Sequence, residues 1–387
     1  MIPREAEKTM KKLAKRYPVV TVTGPRQSGK TTLVRTAFPK MDYVSLEEPD
    51  TLDHAKDDPR DFLKRYDRGA IIDEAQRCPE LFSYLQTKVD LEKKMGAYVL
   101  TGSQQFGLMS GITQSLAGRT GIIQLLPFSM KELRSAEMLP KSLNDLLFRG
   151  LYPPLYDREM EPSHFLSSYV MTYVERDVRN LIHVRDLSQF QRFLRMCAAR
   201  TGQLLNLNSL ASDCGITHNT ARSWISVLEA SYIVFLLQPH HNNFGKRLVK
   251  TPKLYFYDTG LAAFLLNIQG LDHISIHPQR GGLFESFVVS EYIKSRFNRG
   301  LAPDCYFWRN NTGDEIDLIL DRGINLDAVE IKSGATINPD FFSGFERWVK
   351  ISGGDKGSST LIYGGTSSMQ RKGVSVLAWE DVDFTAI

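Results

Sequence analysis

The sequence predicts an α/β chain whose amino-terminal half is a parallel sheet covered by helices on both faces. Three features predict it: a glycine-rich turn joining a strand to a helix in "VVTVTGPRQSGKTTLV", an apolar run closed by two acids in "AIIDEAQ", and short β-branched runs alternating with helical stretches. Sheets of this kind bind ligands at the carboxyl ends of their strands.

The first element is the strand "PVVTVT", followed by a loop from Gly24 to Lys30 and the helix "KTTLVRTAF", which Pro39 stops. The pattern Gly24-x4-Gly29-Lys30-Thr31 is that of a P-loop, in which backbone N–H groups surround phosphate oxygens and glycine permits the close approach. Gly24, Pro25, Arg26, Gln27, Ser28, Gly29, Lys30, Thr31 and Thr32 form the candidate nucleotide-binding stretch, with ATP and Mg²⁺ as the expected ligands. Lys30 is expected to neutralise the β- and γ-phosphates, and the Thr31 hydroxyl to supply a ligand to Mg²⁺. A plain glycine turn with a surface lysine is the alternative, which the strand-to-helix context disfavours.

"MDYVSLEE" reads as the next strand, and "RGAIIDEAQRCPELF" as a buried strand ending in Asp73 and Glu74 before a helix starting near Pro79. Asp73 is placed to hold magnesium through water and Glu74 to polarise the water that attacks the γ-phosphate. Acids that merely favour a helix start would look similar. "AYVLTGS" and "TGIIQLLP" complete five strands. Thr101, Ser103 and Gln104 fall at a strand end, where Ser103 is the preferred candidate for orienting water or sensing the γ-phosphate, against ordinary strand-end capping. Arg119, in the glycine-flanked bend "LAGRTG", and Arg176 and Arg179, in "YVERDVRNL", are candidate fingers or sensors for phosphate, although Arg176 could equally pair with Glu175 or Asp177.

Beyond residue 200, "LNLNSLASDCGITHNTARSWISVLEASYIVFLLQP" reads as helix, tight turn at Gly215, helix and strand, which suggests a winged helix-turn-helix. Ser209 is expected to start the first helix and Thr217 to cap the second, leaving Asn219, Arg222 and Ser223 on the polar side. "YIVFLLQP" and "KLYFYD" form the hairpin, whose loop carries Lys246, Arg247, Lys250 and Lys253. From Phe190 to Gly260 there are eight Lys/Arg against three Asp/Glu, a balance that favours phosphate-backbone contacts and makes DNA the expected partner. A domain that only packs against the first half is the competing reading.

The last third holds a second acidic constellation in "GGLFESFVVSEYIK", "YFWRNNTGDEIDLIL" and "LDAVEIKSG". Strand alternation puts Ile316, Leu318 and Leu320 on one face with Asp317 opposite, and Glu330 with Lys332 opposite Val329 and Ile331. Asp317 and Glu330 could hold magnesium, Glu285 could complete the site, and Lys332 could orient water or stabilise developing charge. Two exposed antiparallel strands would show the same alternation.

At 387 residues the chain exceeds what one core usually organises, and 42% hydrophobic with 24% charged residues is the composition of an ordinary folded protein. The net charge of +4 is too mild to prove a polyanion partner by itself. The charged N-terminus and a longest apolar run of only "YIVFLL" point to a cytoplasmic protein without a membrane span. Cys78, Cys197, Cys214 and Cys305 show no metal-type spacing and read as reduced thiols.

Taken in order, "GPRQSGKTTL", "IIDEAQRCPELF", "VLTGSQQF", "SLAGR", "YVERDV", "LYFYDTGLAAFLL", "GGLFESFV", "FWRNNTGDEIDLIL" and "AVEIKSG" make nearly the full chain resemble the prokaryotic AAA-type ATPases that end in an uncharacterised nuclease-like domain. The resemblance implies an AAA-like P-loop domain with a helical lid over residues 1–190, a winged helix-turn-helix over 191–270 and a restriction-endonuclease-like α/β domain over 271–387. It also implies that Glu285, Asp317, Glu330 and Lys332 hold PD-(D/E)xK positions, although no Pro-Asp pair occurs here because Asp317 follows Ile316. Three functions follow: an ATP-hydrolysing switch or motor acting on DNA, an ATP-regulated Mg²⁺-dependent DNA nuclease, and a nucleotide-dependent protein-interaction module. A finger mechanism would make the protein a homo-oligomer.

Overall fold

A computed structural model describes residues 2–387 except 104–107, 109–111, 113, 179–185, 241–248, 324 and 353–357, with the side chains of 175–178 also outside the description. Five parallel strands, β1 (Val19–Thr23), β2 (Asp42–Ser45), β3 (Ala70–Asp73), β4 (Tyr98–Gly102) and β5 (Thr120–Gln124), form the first sheet in the order β2-β3-β4-β1-β5. β1 is buried along its whole length and pairs in register with both β4 and β5. Successive residues serve opposite faces: Leu100 and Ile72 join one apolar cluster, and Val99 and Ile71 the other. Helix α1 (Ala6–Ala14) and helix α2 (Lys30–Ala37) bury Met10, Leu33 and Val34 in that second cluster. The parallel α/β sheet expected from the sequence is therefore present.

A short helix α3 (Met130–Ser135) follows, opened by a capping box between Ser129 and Glu132. The expected helix around "YVERDV" is a π-helix, Val170–Val178. Next come α4 (Leu187–Ala198), β6 (Gln203–Leu204), α5 (Leu207–Cys214), a left-handed turn at Gly215 and α6 (His218–Ala230), then β7 (Val234–Leu237) and β8 (Lys253–Phe256). These strands form a three-stranded antiparallel sheet, β6-β8-β7. Thr217 caps α6 as expected, but the cap of α5 is Asn206, whose side chain accepts from Ser209 N, so Ser209 lies inside the helix rather than at its start. Trp224 of α6 packs edge-on against Phe190 and Phe193 of α4, which fixes the buried side and leaves Asn219, Arg222, Ser223 and Ser226 exposed.

The long helix α7 (Arg280–Asn298) leads into a six-stranded mixed sheet made of β9 (Cys305–Arg309), β10 (Glu315–Asp321), β11 (Leu326–Lys332), β12 (Ser359–Tyr363), β13 (Met369–Arg371) and β14 (Val374–Ala378), ordered β13-β14-β12-β11-β10-β9. Helix α8 (Ser343–Ser352) covers the face opposite α7. The simple alternation expected in "EIDLIL" is broken by a β-bulge between Ile316 and Ile319. Ile316 and Ile319 consequently share one apolar cluster while Leu318 and Leu320 join another, so both faces of β10 are covered.

The central hairpin does not stand free. Past β7, His240 N donates to Phe307 O at 2.7 Å and Phe307 N to Gln238 O at 3.1 Å, so the strand continues onto β9. A single apolar cluster runs from Leu146 and Tyr152 through Phe190 and Phe256 to Phe284, Val329 and Ile331. No helix among the described residues is long and apolar enough to cross a membrane. All four cysteines are buried free thiols.

Candidate functional site

The loop after β1 carries the backbone geometry its glycines were expected to provide. Gly29 is left-handed (φ +90°), and at Gly24 (φ +148°) an added Cβ would collide with the Leu125 carbonyl. Lys30, at the start of α2, is buried and donates to Gly24 O at 3.0 Å and Pro25 O at 2.8 Å. Burial pushes its ammonium down to about 8, which the negative charges of Glu74 and Asp73 only partly offset. Ser28 Oγ is buried without a hydrogen-bond partner. A cavity of about 430 Å³ opens in front of these groups, with Ile2, Pro3, Phe128, Pro153, Pro154 and Tyr173 forming an apolar side and Arg26, Gln27, Lys30 and Thr31 a polar one. A buried cation held by carbonyls and an unpartnered hydroxyl fit an anionic ligand, and the apolar side fits a nucleobase.

Asp73, at the end of β3, accepts from Thr31 Oγ1 and Tyr43 OH at 2.9 and 2.8 Å, and also from Thr101 Oγ1. One carboxylate oxygen therefore faces the hydroxyl expected to ligate magnesium, and the donor set of Thr31 and Asp73 fits a hard divalent ion. Glu74 follows in a left-handed conformation (φ 53°), which turns its side chain off the strand axis toward the cavity. Its Oε2 accepts from Ser103 Oγ at 3.0 Å and Gln76 Nε2 at 2.5 Å. Ser103 thus holds Glu74 rather than meeting water alone.

Arg119 does not line the site of its own chain. It precedes β5, so it lies at the amino end of a five-residue parallel strand whose other end adjoins the loop. That separation is about 16 Å, and the guanidinium donates to Asp90 through Nε and Nη2 at 2.6 and 2.8 Å and to Ala117 O through Nη1 at 3.1 Å. Arg119 cannot reach phosphate in its own chain. Gln104 and Arg179 lie outside the described residues, as does the Arg176 side chain. Sequence reasoning missed Tyr43, Gln76 and Arg4. Arg4 donates to Ser28 O at 2.6 Å and Leu126 O at 2.7 Å and pairs with Glu132 at 3.0 Å, tying the N-terminal segment to the loop and to α3.

The second constellation also comes together. Lys332 Nζ lies 2.9 Å from Asp317 Oδ2 and 2.6 Å from Glu330 Oε2, and Ile331 N donates to the same Asp317 oxygen at 2.9 Å. Glu285 lies nearby but is held differently: its Oε1 accepts from Lys253 Nζ at 2.8 Å and from Tyr255 OH at 2.5 Å. Lys253 also pairs with Glu315 and lies 4.0 Å from Asp317 Oδ1. Assigning Lys253 to a basic wing surface is therefore corrected, because its side chain is 3% exposed and surrounded by acids. Lys246 and Arg247 lie outside the described residues.

Burial opposes ionisation of Asp317, but the ammonium groups of Lys332 and Lys253 outweigh it and keep its carboxyl below the usual range. Burial and then the Asp317 charge push Glu330 well above it. Among the described residues no group of three or more His, Cys, Asp or Glu side chains is disposed to hold a metal ion. Glu285, Asp317 and Glu330, expected as metal ligands, instead face ammonium groups and do not fit a divalent ion as arranged.

Comparison with known proteins divides the chain into three. A family described as AAA domain matches residues 16–134, and two domains of unknown function, DUF8612 and DUF4143, match residues 140–272 and 280–382. Two uncharacterized proteins, of Mycobacterium tuberculosis and Mycobacterium bovis, are each 31% identical to it over 337 residues, which is 86% of this chain and 74% of theirs. Among solved structures, a Walker-type ATPase of Pyrococcus abyssi is 14% identical, covering 68% of this chain and 96% of its own at a TM-score of 0.46. The RuvB Holliday junction branch migration motor of Thermotoga maritima is 17% identical, covering 60% of this chain and 87% of its own at a TM-score of 0.28. Likeness at such scores is too loose to support inference.

Proposed function

This chain is a P-loop ATPase of the AAA type that belongs to the same family as the two mycobacterial proteins, and from that premise we propose that it is a nucleotide-driven switch acting on DNA. Backbone N–H groups of the loop and Lys30 bind the triphosphate, while Thr31 and Asp73 would hold Mg²⁺, which would supply charge neutralisation to the phosphates. Glu74 accepts the proton of the attacking water, and Ser103 and Gln76 keep its carboxylate aimed. Assembly into a homo-oligomer remains part of this reading, since Arg119 acts on phosphate only in a neighbouring copy.

One observation carries the link from nucleotide to DNA. Tyr232, just past α6, is 2% exposed, adopts φ 56° and shares a 2.8 Å hydrogen bond with Thr23 Oγ1, the residue immediately before Gly24. A bulky residue at positive φ is strained and persists only where its surroundings hold it. Beside it, Ser231 O accepts from Tyr173 OH at 3.2 Å, and Tyr173 lines the nucleotide cavity with the Arg26 guanidinium 5.8 Å from its ring. The end of α6 is thus bonded to both the root and the wall of the nucleotide site. We read α5, α6 and the hairpin as a winged helix whose exposed Asn219, Arg222, Ser223 and Ser226 meet the DNA.

Fluorescence anisotropy of labelled duplex DNA, with and without a nonhydrolysable ATP analogue, tests this. Affinity is expected to change with the analogue, and R222A to weaken binding and lower the salt slope by about 1. Salt-independent failure to bind any DNA or RNA would instead favour a protein-interaction module. The competing reading, an ATP-regulated Mg²⁺-dependent nuclease of PD-(D/E)xK type, requires Asp317 and Glu330 to give up the ammonium partner they share in Lys332. Cleavage of plasmid DNA with Mg²⁺ that is lost in D317A would establish it.

A further inference from the structure

We propose that Lys253 is the resident cation of the C-terminal acidic cluster: an ammonium group delivered from the central sheet occupies, among Glu285, Glu315 and Asp317, the place a divalent metal would take. The inference goes beyond the switch reading and uses neither nucleotide nor DNA.

The placement is built into the backbone. Lys253 opens β8, between Leu204 of β6 and Leu237 of β7 in register, so its Cα is fixed from both sides. Tyr255, two residues on and therefore on the same face of the strand, donates to the same Glu285 oxygen as Lys253. Glu285 comes from α7, and Glu315 and Asp317 from β10, so three acids from two elements converge on one ammonium. The lysine sits 5.5 Å from the centre of the Phe307 ring, and its side chain is 3% exposed, so the head group is held away from water.

Occupied lone pairs explain why a divalent ion is not accommodated. The four carboxylates of Glu285, Glu315, Asp317 and Glu330 are met by three cations of the chain itself: Lys253, Lys332 and Arg309, the last 2.9 Å from Glu315. A divalent ion needs several oxygen lone pairs free at short range, whereas here both Asp317 oxygens face ammonium groups, as do one oxygen of Glu285 and one of Glu330. An ammonium ion gives the acids the neutralisation a metal would give without its ability to activate water. The cluster then joins the central sheet to the C-terminal sheet, alongside the pairing of the β7 extension with β9, rather than cutting nucleic acid.

The test is Mn²⁺ binding, by calorimetry and by electron paramagnetic resonance, to the full chain carrying D73N so that the P-loop holds no ion. With Lys253 intact, no Mn²⁺ uptake is expected below about 1 mM. K253M is expected to gain one Mn²⁺ site at least about tenfold tighter, lost again in K253M/D317N, and a melting temperature that rises with Mn²⁺. D317N-sensitive Mn²⁺ uptake with Lys253 in place would overturn the proposal, as would a folded K253M that still takes none. Should K253M fail to fold, the D73N chain with and without D317N decides by itself.

Discussion

Two of the sites where the molecule sets a lysine beside acids manage the charges in opposite ways. At the P-loop, the Lys30 ammonium rests on two neutral carbonyls, while Asp73 and Glu74 are held by hydroxyls and an amide. In the C-terminal cluster, Lys253 and Lys332 sit directly on the carboxylates. Neutral supports fix a charged side chain without cancelling it, so the first site keeps its positive and negative groups available to a ligand. Direct pairing spends the same charges internally. The difference lies in the supporting layer, because both sites draw on lysine, aspartate and glutamate.

The comparison can be broken or sharpened by substitution. The largest effect is expected for K30A, which should weaken ATP binding in calorimetry by about 10³-fold, close to 4 kcal/mol. K332A should leave that affinity unchanged, and an equal loss in both variants would erase the distinction. D317N removes a carboxylate from the buried Lys253 and the half-buried Lys332, and urea unfolding should report a stability loss of about 3 kcal/mol. E74Q should bind ATP normally yet turn it over about 10²-fold more slowly in single-turnover assays. S103A, which removes one neutral support of Glu74, should lower turnover about tenfold with nucleotide affinity intact.

A smaller effect follows from the Lys30 ammonium, which burial depresses to about 8. Phosphate oxygens favour the charged form, so nucleotide binding raises this pKa. Binding therefore takes up no proton onto Lys30 well below pH 8 and takes one up progressively above it, and affinity declines as pH rises through that value. Calorimetry in two buffers of different ionisation enthalpy, at about pH 6.5 and about pH 8.5, measures the uptake directly.

Much of the first site was legible in sequence because its requirements are local. Gly24, Gly29, Lys30 and Thr31 are set by backbone geometry within one turn, and Asp73 by the end of an apolar strand. The supporting groups were not legible: Tyr43 and Arg4 reach their partners from distant segments, and "AQ" after Glu74 gives no hint that Gln76 folds back on it. The place of Arg119 was not legible either, because a glycine-flanked bend does not reveal which end of a parallel strand it adjoins. The C-terminal acids were found by alternation even though a bulge in β10 breaks it, since the irregularity lies in the pairing with β9 and Asp317 still meets Lys332 of β11 on the other side. Lys253 was read as surface charge because composition counts a lysine without its tertiary neighbours, and those neighbours come from α7 and β10.

The most direct measurement is titration of the full chain with a nonhydrolysable ATP analogue and Mg²⁺ by calorimetry, beside the K30A and K332A variants. The account predicts saturable one-to-one binding in the native chain and in K332A, and its loss in K30A. Absence of binding to well-folded native protein at millimolar analogue, or equal binding in K30A, would contradict it.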